Sequence, residues 1–221
     1  MSTKAQNQQK QHQHEEESKR SNVSKGNNKA KIVPKSNKPS VGLSLDLPKF
    51  WRKGDGNQIW ALDPKGERYA GIAGPFAKTM ANATIKKIEA IQNEHLWMRF
   101  DLLNRHFDKK CDTQGRLARH YFHGTSVTDP KIIWNSDEGF DSRCSNQGMW
   151  GTGIYFSTTA KYSHSYAHRL PSGEFQMFFA LVLLGDVVSL QPDSGLRKPP
   201  TKPKAKQNFD DERYDSVKGV T

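Results

Sequence analysis

The stretch Gly148-Met149-Trp150-Gly151-Thr152-Gly153-Ile154-Tyr155-Phe156-Ser157 constrains this chain more than any other. Its closely spaced glycines permit positive φ and let the main chain approach another group at short range. Directly after them, Ile154-Tyr155-Phe156 reads as the start of a strand. A glycine bend feeding an aromatic strand can lay a ring flat along the wall of a cleft. Taken alone, the same stretch fits a plain bend with a packed tyrosine equally well.

The length of 221 residues suits one domain with an added segment, or two small domains. The net charge of +11 is unevenly placed. Residues 1–45 hold nine Lys/Arg against three Glu and contain no Phe, Tyr or Trp. Such a segment cannot bury enough apolar surface to offset its ordering entropy, so residues 1–46 are expected to be a disordered basic tail. Its lysines could hold nucleic acid weakly through counterion release. A solubilising tail is the stronger reading, because no aromatic residues interleave to stack on bases. His12 and His14 beside Glu15, Glu16 and Glu17 are a weak metal motif. The two cysteines, Cys111 and Cys144, are too few for a disulfide framework, which points to a reducing, intracellular setting, nucleus or cytoplasm. The longest apolar run, Met177 to Leu184, is too short to span a bilayer, so no membrane partner is expected.

Order is expected from residue 47 to residue 221. Phe50 to Gly74 carries turn punctuation at Gly54-Asp55-Gly56 and Asp63-Pro64-Lys65-Gly66 and reads as short extended pieces. A helix follows, capped by Asn82 or Thr84. Ile85, Ile88, Ile91, Leu96, Phe100, Leu103 and Phe107 recur at three- and four-residue spacing as its core stripe. Arg119 to His123 reads as a strand. Asp129-Pro130 opens a short helix through Asp137, with Asp as cap and Pro at the first helical position. Ala160 to His168 has helical character. Phe175 to Leu190 reads as one long strand, buried on both faces, with Gly185 inside it. Tyr214 to Val217 suggests one more extended piece.

Several unusual residues can then share one slot. His123-Gly124 ends a strand, Tyr155 follows the glycine bend, and Ser163 and Tyr166 lie on the next helix. Two facing aromatic rings suit a flat heteroaromatic ligand. A closely approached backbone at Gly124 offers an N–H and a C=O, which matches a carboxamide. A flat ring bearing a carboxamide is nicotinamide. The bland alternative is that Tyr155 and Tyr166 are core tyrosines. The pairs His164/His168 and His120/His123 have zinc-compatible spacing, but no cysteine or carboxylate partner stands nearby, and His120 and His123 face opposite sides of a strand.

Phe122-His123-Gly124-Thr125, Gly139-Phe140-Asp141, Met149 to Phe156, Ser163 and Tyr166 closely resemble the poly(ADP-ribose) polymerase catalytic domain, of the diphtheria-toxin-like ADP-ribosyltransferases. Ile91-Gln92-Asn93 with Leu96-Trp97 resembles the helix of the branch that mostly performs mono-ADP-ribosylation. The resemblance implies an α+β fold, an ADP-ribosyltransferase-like split of mostly antiparallel sheets with flanking helices. It implies NAD as co-substrate, no metal, and protein acceptors of ADP-ribose. By the same resemblance, His123 would bond the 2′-hydroxyl of the adenosine ribose, and Gly124 and Ser163 would hold the nicotinamide carboxamide. Tyr166 would stack on the nicotinamide, and Tyr155 would form the opposite wall. His123 and Tyr155 would be the catalytic pair. The family's third signature residue is Glu in polymerising members and usually apolar in mono-transferases. The resemblance places it beyond Thr221, so the domain is expected to be incomplete at its C-terminal end. A catalytically inert NAD cleft, or an interaction module tethered to RNA by the tail, is the rival reading.

Overall fold

The computed structural model describes residues 47–110, 118–203 and 212–220. The expected tail, residues 1–46, and Cys111 lie outside them. In chain order the elements are β1 (Gln58–Ala61), α1 (Glu67–Ala77), β2 (Glu89–Gln92), α2 (Glu94–Lys110), β3 (Arg119–His123), α3 (Pro130–Trp134), β4 (Gln147–Gly148), β5 (Gly151–Thr152), α4 (Ala160–His164), β6 (His168–Arg169), β7 (Phe175–Gln176), β8 (Phe178–Val182), β9 (Val187–Leu190) and β10 (Ser216–Gly219). This is the expected α+β mixture. The strand pairs β1–β2, β3–β8, β4–β5 and β6–β7 are antiparallel, and β9–β10 is parallel. Among the described residues no helix is long and apolar enough to cross a membrane.

The first third departs from the sequence reading. Asp63 to Gly66 does turn, with Gly66 N–H on Asp63 O at 2.9 Å and Lys65 N–H on the Asp63 carboxylate at 3.0 Å. Residues 67–77 beyond it are helix α1, not extended pieces. Tyr69, Ile72, Ala73 and Phe76 recur at helical spacing, a pattern that Gly71, Gly74 and Pro75 obscure. Pro75 lies inside this helix near its C-terminal end, and it lacks the N–H that would bond the Gly71 carbonyl. Phe76 then meets Phe122 edge-on at 6.5 Å.

The next helix starts twelve residues after Asn82, at Glu94. Ile91 belongs to strand β2, opposite Ile59. The cap is Asn93, whose side-chain oxygen accepts from Leu96 N–H at 3.0 Å. Its amide donates to Trp134 O at 3.1 Å and Ser136 O at 2.9 Å, tying the start of α2 to the end of α3. Gln92 pairs with both backbone groups of Arg52, at 2.9 and 3.0 Å. Gln92 and Asn93 are therefore buried polar residues with their bonding satisfied. The expected apolar stripe is only partly core. Trp97 stacks on Phe100 at 5.4 Å and meets Trp51 at 5.9 Å, whereas Leu103 is exposed.

The second half holds closer to expectation. Strand β3 pairs with β8 from Arg119↔Val182 to His123↔Phe178. Its other edge is bridged at Phe122 by Ser157, with N–H···O distances of 2.8 and 2.9 Å. Phe122 is 2% exposed and Ala160 0%, so the core sits where β3 meets α4. Asp129 caps α3 as expected, accepting from Lys131 N–H at 2.8 Å, but the helix ends at Trp134. The long strand from Phe175 to Leu190 is instead three strands, β7, β8 and β9, each with a different partner. Gly185 breaks it, with φ +58° and the Asp215 side chain packed against its α-carbon. Nor is the run buried on both faces: Phe175, Leu181 and Val187 are exposed.

Candidate active site

Gly124 is required by space rather than by φ. A β-carbon there would run into the Ser163 carbonyl oxygen and lie 2.6 Å from the Tyr166 carbonyl carbon. The end of β3 therefore rests on the backbone of α4 and the turn after it. That contact brings His123, Gly124, Ser163 and Tyr166 together. Ser163 is 4% exposed, and its carbonyl accepts from Tyr166 N–H at 3.1 Å. Ser157 holds the entry to α4, since its hydroxyl accepts from Thr159 N–H at 3.0 Å.

His123 Nδ1 lies 2.7 Å from the Tyr155 carbonyl oxygen. Only an Nδ1–H can donate to that oxygen, so the neutral ring keeps its Nε2 lone pair as an acceptor. Burial lowers the His123 pKa, and the Tyr155 carbonyl opposes that shift by favouring the protonated ring. The ring packs against Phe140 at 4.8 Å, Phe156 at 5.3 Å and Phe178 at 6.4 Å. Phe140 follows Gly139, which has φ +66° and packs against the Leu96 side chain, so the Gly139-Phe140 pair serves this wall.

The glycine bend holds Tyr155 by its hydroxyl. The hydroxyl accepts from Trp150 N–H at 2.9 Å and donates to Gly151 O at 2.7 Å. A β-carbon on Gly148 would lie 2.8 Å from the Tyr155 ring. Gly151 has φ +79° and faces the Leu196 carbonyl, while a side chain on Gly153 would meet nothing within 4 Å. The three glycines thus differ: one makes room for the ring, one makes the turn, and one is needed for neither. Ile154 to Phe156 does not form the expected strand; only Ser157 bridges to β3.

Sequence reasoning missed Tyr162. Its ring lies 5.6 Å from that of Tyr166, tilted by 49°, and both are half exposed. Burial first, then the hydrogen bond to Tyr166 and the neighbouring Tyr166 and Tyr155 phenols, raise the Tyr162 pKa. The spacing of 162 and 166, one helical turn, was the available signal. Among the described residues no group of three or more His, Cys, Asp or Glu is placed to hold a metal ion. His120 and His123 do sit apart, His120 stacking on Phe179 at 5.0 Å.

The family model for the poly(ADP-ribose) polymerase catalytic domain matches residues 66–218, which contain every element of this site. The chain belongs to that family. A probable poly(ADP-ribose) polymerase of Dictyostelium discoideum is 35% identical over 182 residues, covering 78% of this chain and 50% of that protein. The human protein mono-ADP-ribosyltransferase PARP12 is 30% identical over 176 residues, 77% of this chain and 24% of its own length. The mouse protein mono-ADP-ribosyltransferase PARP11 is 28% identical over 198 residues, 79% of this chain and 59% of its own length. The chain thus spans about half the length of the Dictyostelium relative and about a quarter of human PARP12. Poly(ADP-ribose) polymerase domains use NAD as co-substrate.

Proposed function

We propose that this chain is an NAD-dependent protein ADP-ribosyltransferase that adds single ADP-ribose units. The observation carrying this reading is the seating of Gly124 on the backbone of Ser163 and Tyr166, beside a His123 whose tautomer Tyr155 sets. Gly124 N–H and C=O, with the Ser163 hydroxyl, would hold the carboxamide. Tyr166 and Tyr155 would flank the ring, and His123 Nε2 would accept from the adenosine ribose 2′-hydroxyl.

In the reaction the C1′–N bond breaks and its electron pair goes to the nicotinamide nitrogen. The pyridinium thereby becomes a neutral leaving molecule, so no strong general acid is needed. Positive charge builds on the ribose, as in glycoside hydrolysis. A nucleophilic side chain of the acceptor then bonds C1′ and gives up its proton. The protein mainly holds the dinucleotide and the leaving group in place, a contribution of positioning.

The mono-transfer part is supported by the names of the PARP12 and PARP11 relatives. The low cysteine content supports an intracellular site of action, in nucleus or cytoplasm. The test is automodification with labelled NAD, with His123→Ala and Tyr155→Ala as controls. Discrete labelling lost in both variants is the expected result. A ladder would refute mono-transfer, and absence of label on folded protein would refute the enzyme reading in favour of an inert cleft.

A further inference from the structure

Trp150 is joined to two parts of the molecule at once. Its backbone N–H donates to the Tyr155 hydroxyl at 2.9 Å, and its indole Nε1–H donates to Leu190 O at 2.9 Å. Leu190 O also accepts from Val220 N–H at 3.0 Å, and Leu190 is the register partner of Gly219 in the parallel pair β9–β10. The indole lies flat against Gly219: a β-carbon there would come within 2.5 Å of Cζ2 and 2.7 Å of Cε2 and Cη2. Gly219 does not have a positive φ, so its bareness is set by the indole. A rigid bicyclic ring cannot yield to such a β-carbon as a lysine tip would. It must turn or slide, and a slide carries its own backbone N–H with it.

We propose that Trp150 is a positioning residue for Tyr155, and that Gly219 on β10 is the seat that fixes it. Through this seat β10 sets where the Tyr155 ring stands, without touching the substrate. The consequence for turnover rests on the reading of the cleft as an NAD site; the mechanical link between Gly219, Trp150 and Tyr155 does not.

The decisive variant is Gly219→Ala, which leaves Trp150 and Tyr155 chemically unaltered. Two measurements are made on the whole chain. The first is the NMR spectrum of ring-labelled tyrosine, with the Tyr155 signal assigned by Tyr155→Phe. The second is KM and kcat for NAD. The expected result is a shifted or broadened Tyr155 signal and a KM raised about tenfold, as a misplaced wall would give. Trp150→Phe, which keeps a ring but deletes the Leu190 bond, should shift KM in the same direction. Combining either change with Tyr155→Phe should raise KM no further than Tyr155→Phe alone. An unmoved Tyr155 signal in Gly219→Ala overturns the proposal, as does a fall in active fraction at unchanged KM, which is what mere destabilisation would give. Should Gly219→Ala fail to fold, the Trp150→Phe and Tyr155→Phe combination decides: additive effects on KM refute the link. A moved signal in a protein whose wild type shows no response to NAD keeps the link and refutes the enzyme reading.

Discussion

The two sides of the candidate site are built by different means. At the His123 side, backbone meets backbone: Gly124 presses on Ser163 and Tyr166, around the buried Phe122 and Ala160. At the Tyr155 side, polar bonds do the holding. The stretch 193–197 straps the glycine bend through Thr152 N–H to Leu196 O at 3.2 Å, Arg197 to the Thr152 hydroxyl at 2.8 Å, and Gln147 to Ser194 O at 2.7 Å. Further along, Lys202 is clasped by Asp186 and Glu212. Close packing tolerates no added atom, whereas a network of partly exposed bonds can lose one member and persist. The His123 side should therefore be brittle to substitution, and the Tyr155 side brittle at Gly148 and Gly151 but graded at its strapping bonds.

The largest effect should come from Gly124→Ala. A methyl group between β3 and α4 must push backbone aside, at a cost of about 3 kcal/mol. We expect a melting temperature lower by more than 5 °C, by the usual scaling of about 2–8 °C per kcal/mol, and loss of benzamide binding by calorimetry. Retention of both would remove the contrast. Next is acid. The His123 pKa lies below the ordinary imidazole value of about 6.5, so the ring is neutral at neutral pH. Because the folded pKa is the depressed one, protonation costs stability as pH falls below the unfolded value, and the full cost is reached below the folded one. Transfer activity should fall on the same acidic limb, with its midpoint below pH 6.5, as Nε2 ceases to accept. A pH–rate profile with the midpoint above that value would contradict the lowering of the His123 pKa by burial.

Smaller effects are expected across the cleft. Lys202→Met removes the clasp, and we expect a loss of about 1 kcal/mol with benzamide affinity changed only a few-fold. The folded Lys202 pKa is raised by its two carboxylate partners, with the Asp186 bond first. Its contribution is therefore whole below the unfolded value of about 10.4 and fades as pH rises through the folded one. Chemical denaturation near pH 7 and above pH 10.5 should show the wild-type advantage shrinking in the alkaline series. Smallest of all is Gly153→Ala. With nothing within 4 Å and no left-handed φ, it should change stability by less than about 0.5 kcal/mol. A large loss there would show that the bend needs more freedom than its geometry indicates.

The same divide explains what could be read from residues alone. The element ends on the His123 side were legible because their signals are local: Asp129-Pro130 caps α3, and Gly124-Thr125 ends β3. His123, Gly124, Ser163 and Tyr166 meet where β3 ends against α4, and the Tyr155 carbonyl faces His123. The errors came where a distant residue decides. Ile85, Ile88 and Ile91 have helical spacing, yet β1 recruits Ile91 into a strand and Asn93 caps the helix later. Asp215, thirty residues on from Gly185, takes part in breaking the long apolar run. Trp150 could be read as a packed wall, but its partner Leu190 O is visible only in three dimensions. Periodicity records which residues prefer burial, not which partner reaches them first.

The parallel pairing of β9 with β10 carries a further consequence, in time. Strands β4 and β5 are neighbours in sequence, but Val187 must find Ser216, far along the chain, and parallel partners cannot be joined by a tight turn. Such closure loses chain entropy before any contact rewards it, so pairs of this kind form late in folding. The β3–α4 contact, which buries Phe122 and Ala160, can form without it. The His123 side can therefore assemble first and the Tyr155 side last, once β10 has docked beside β9.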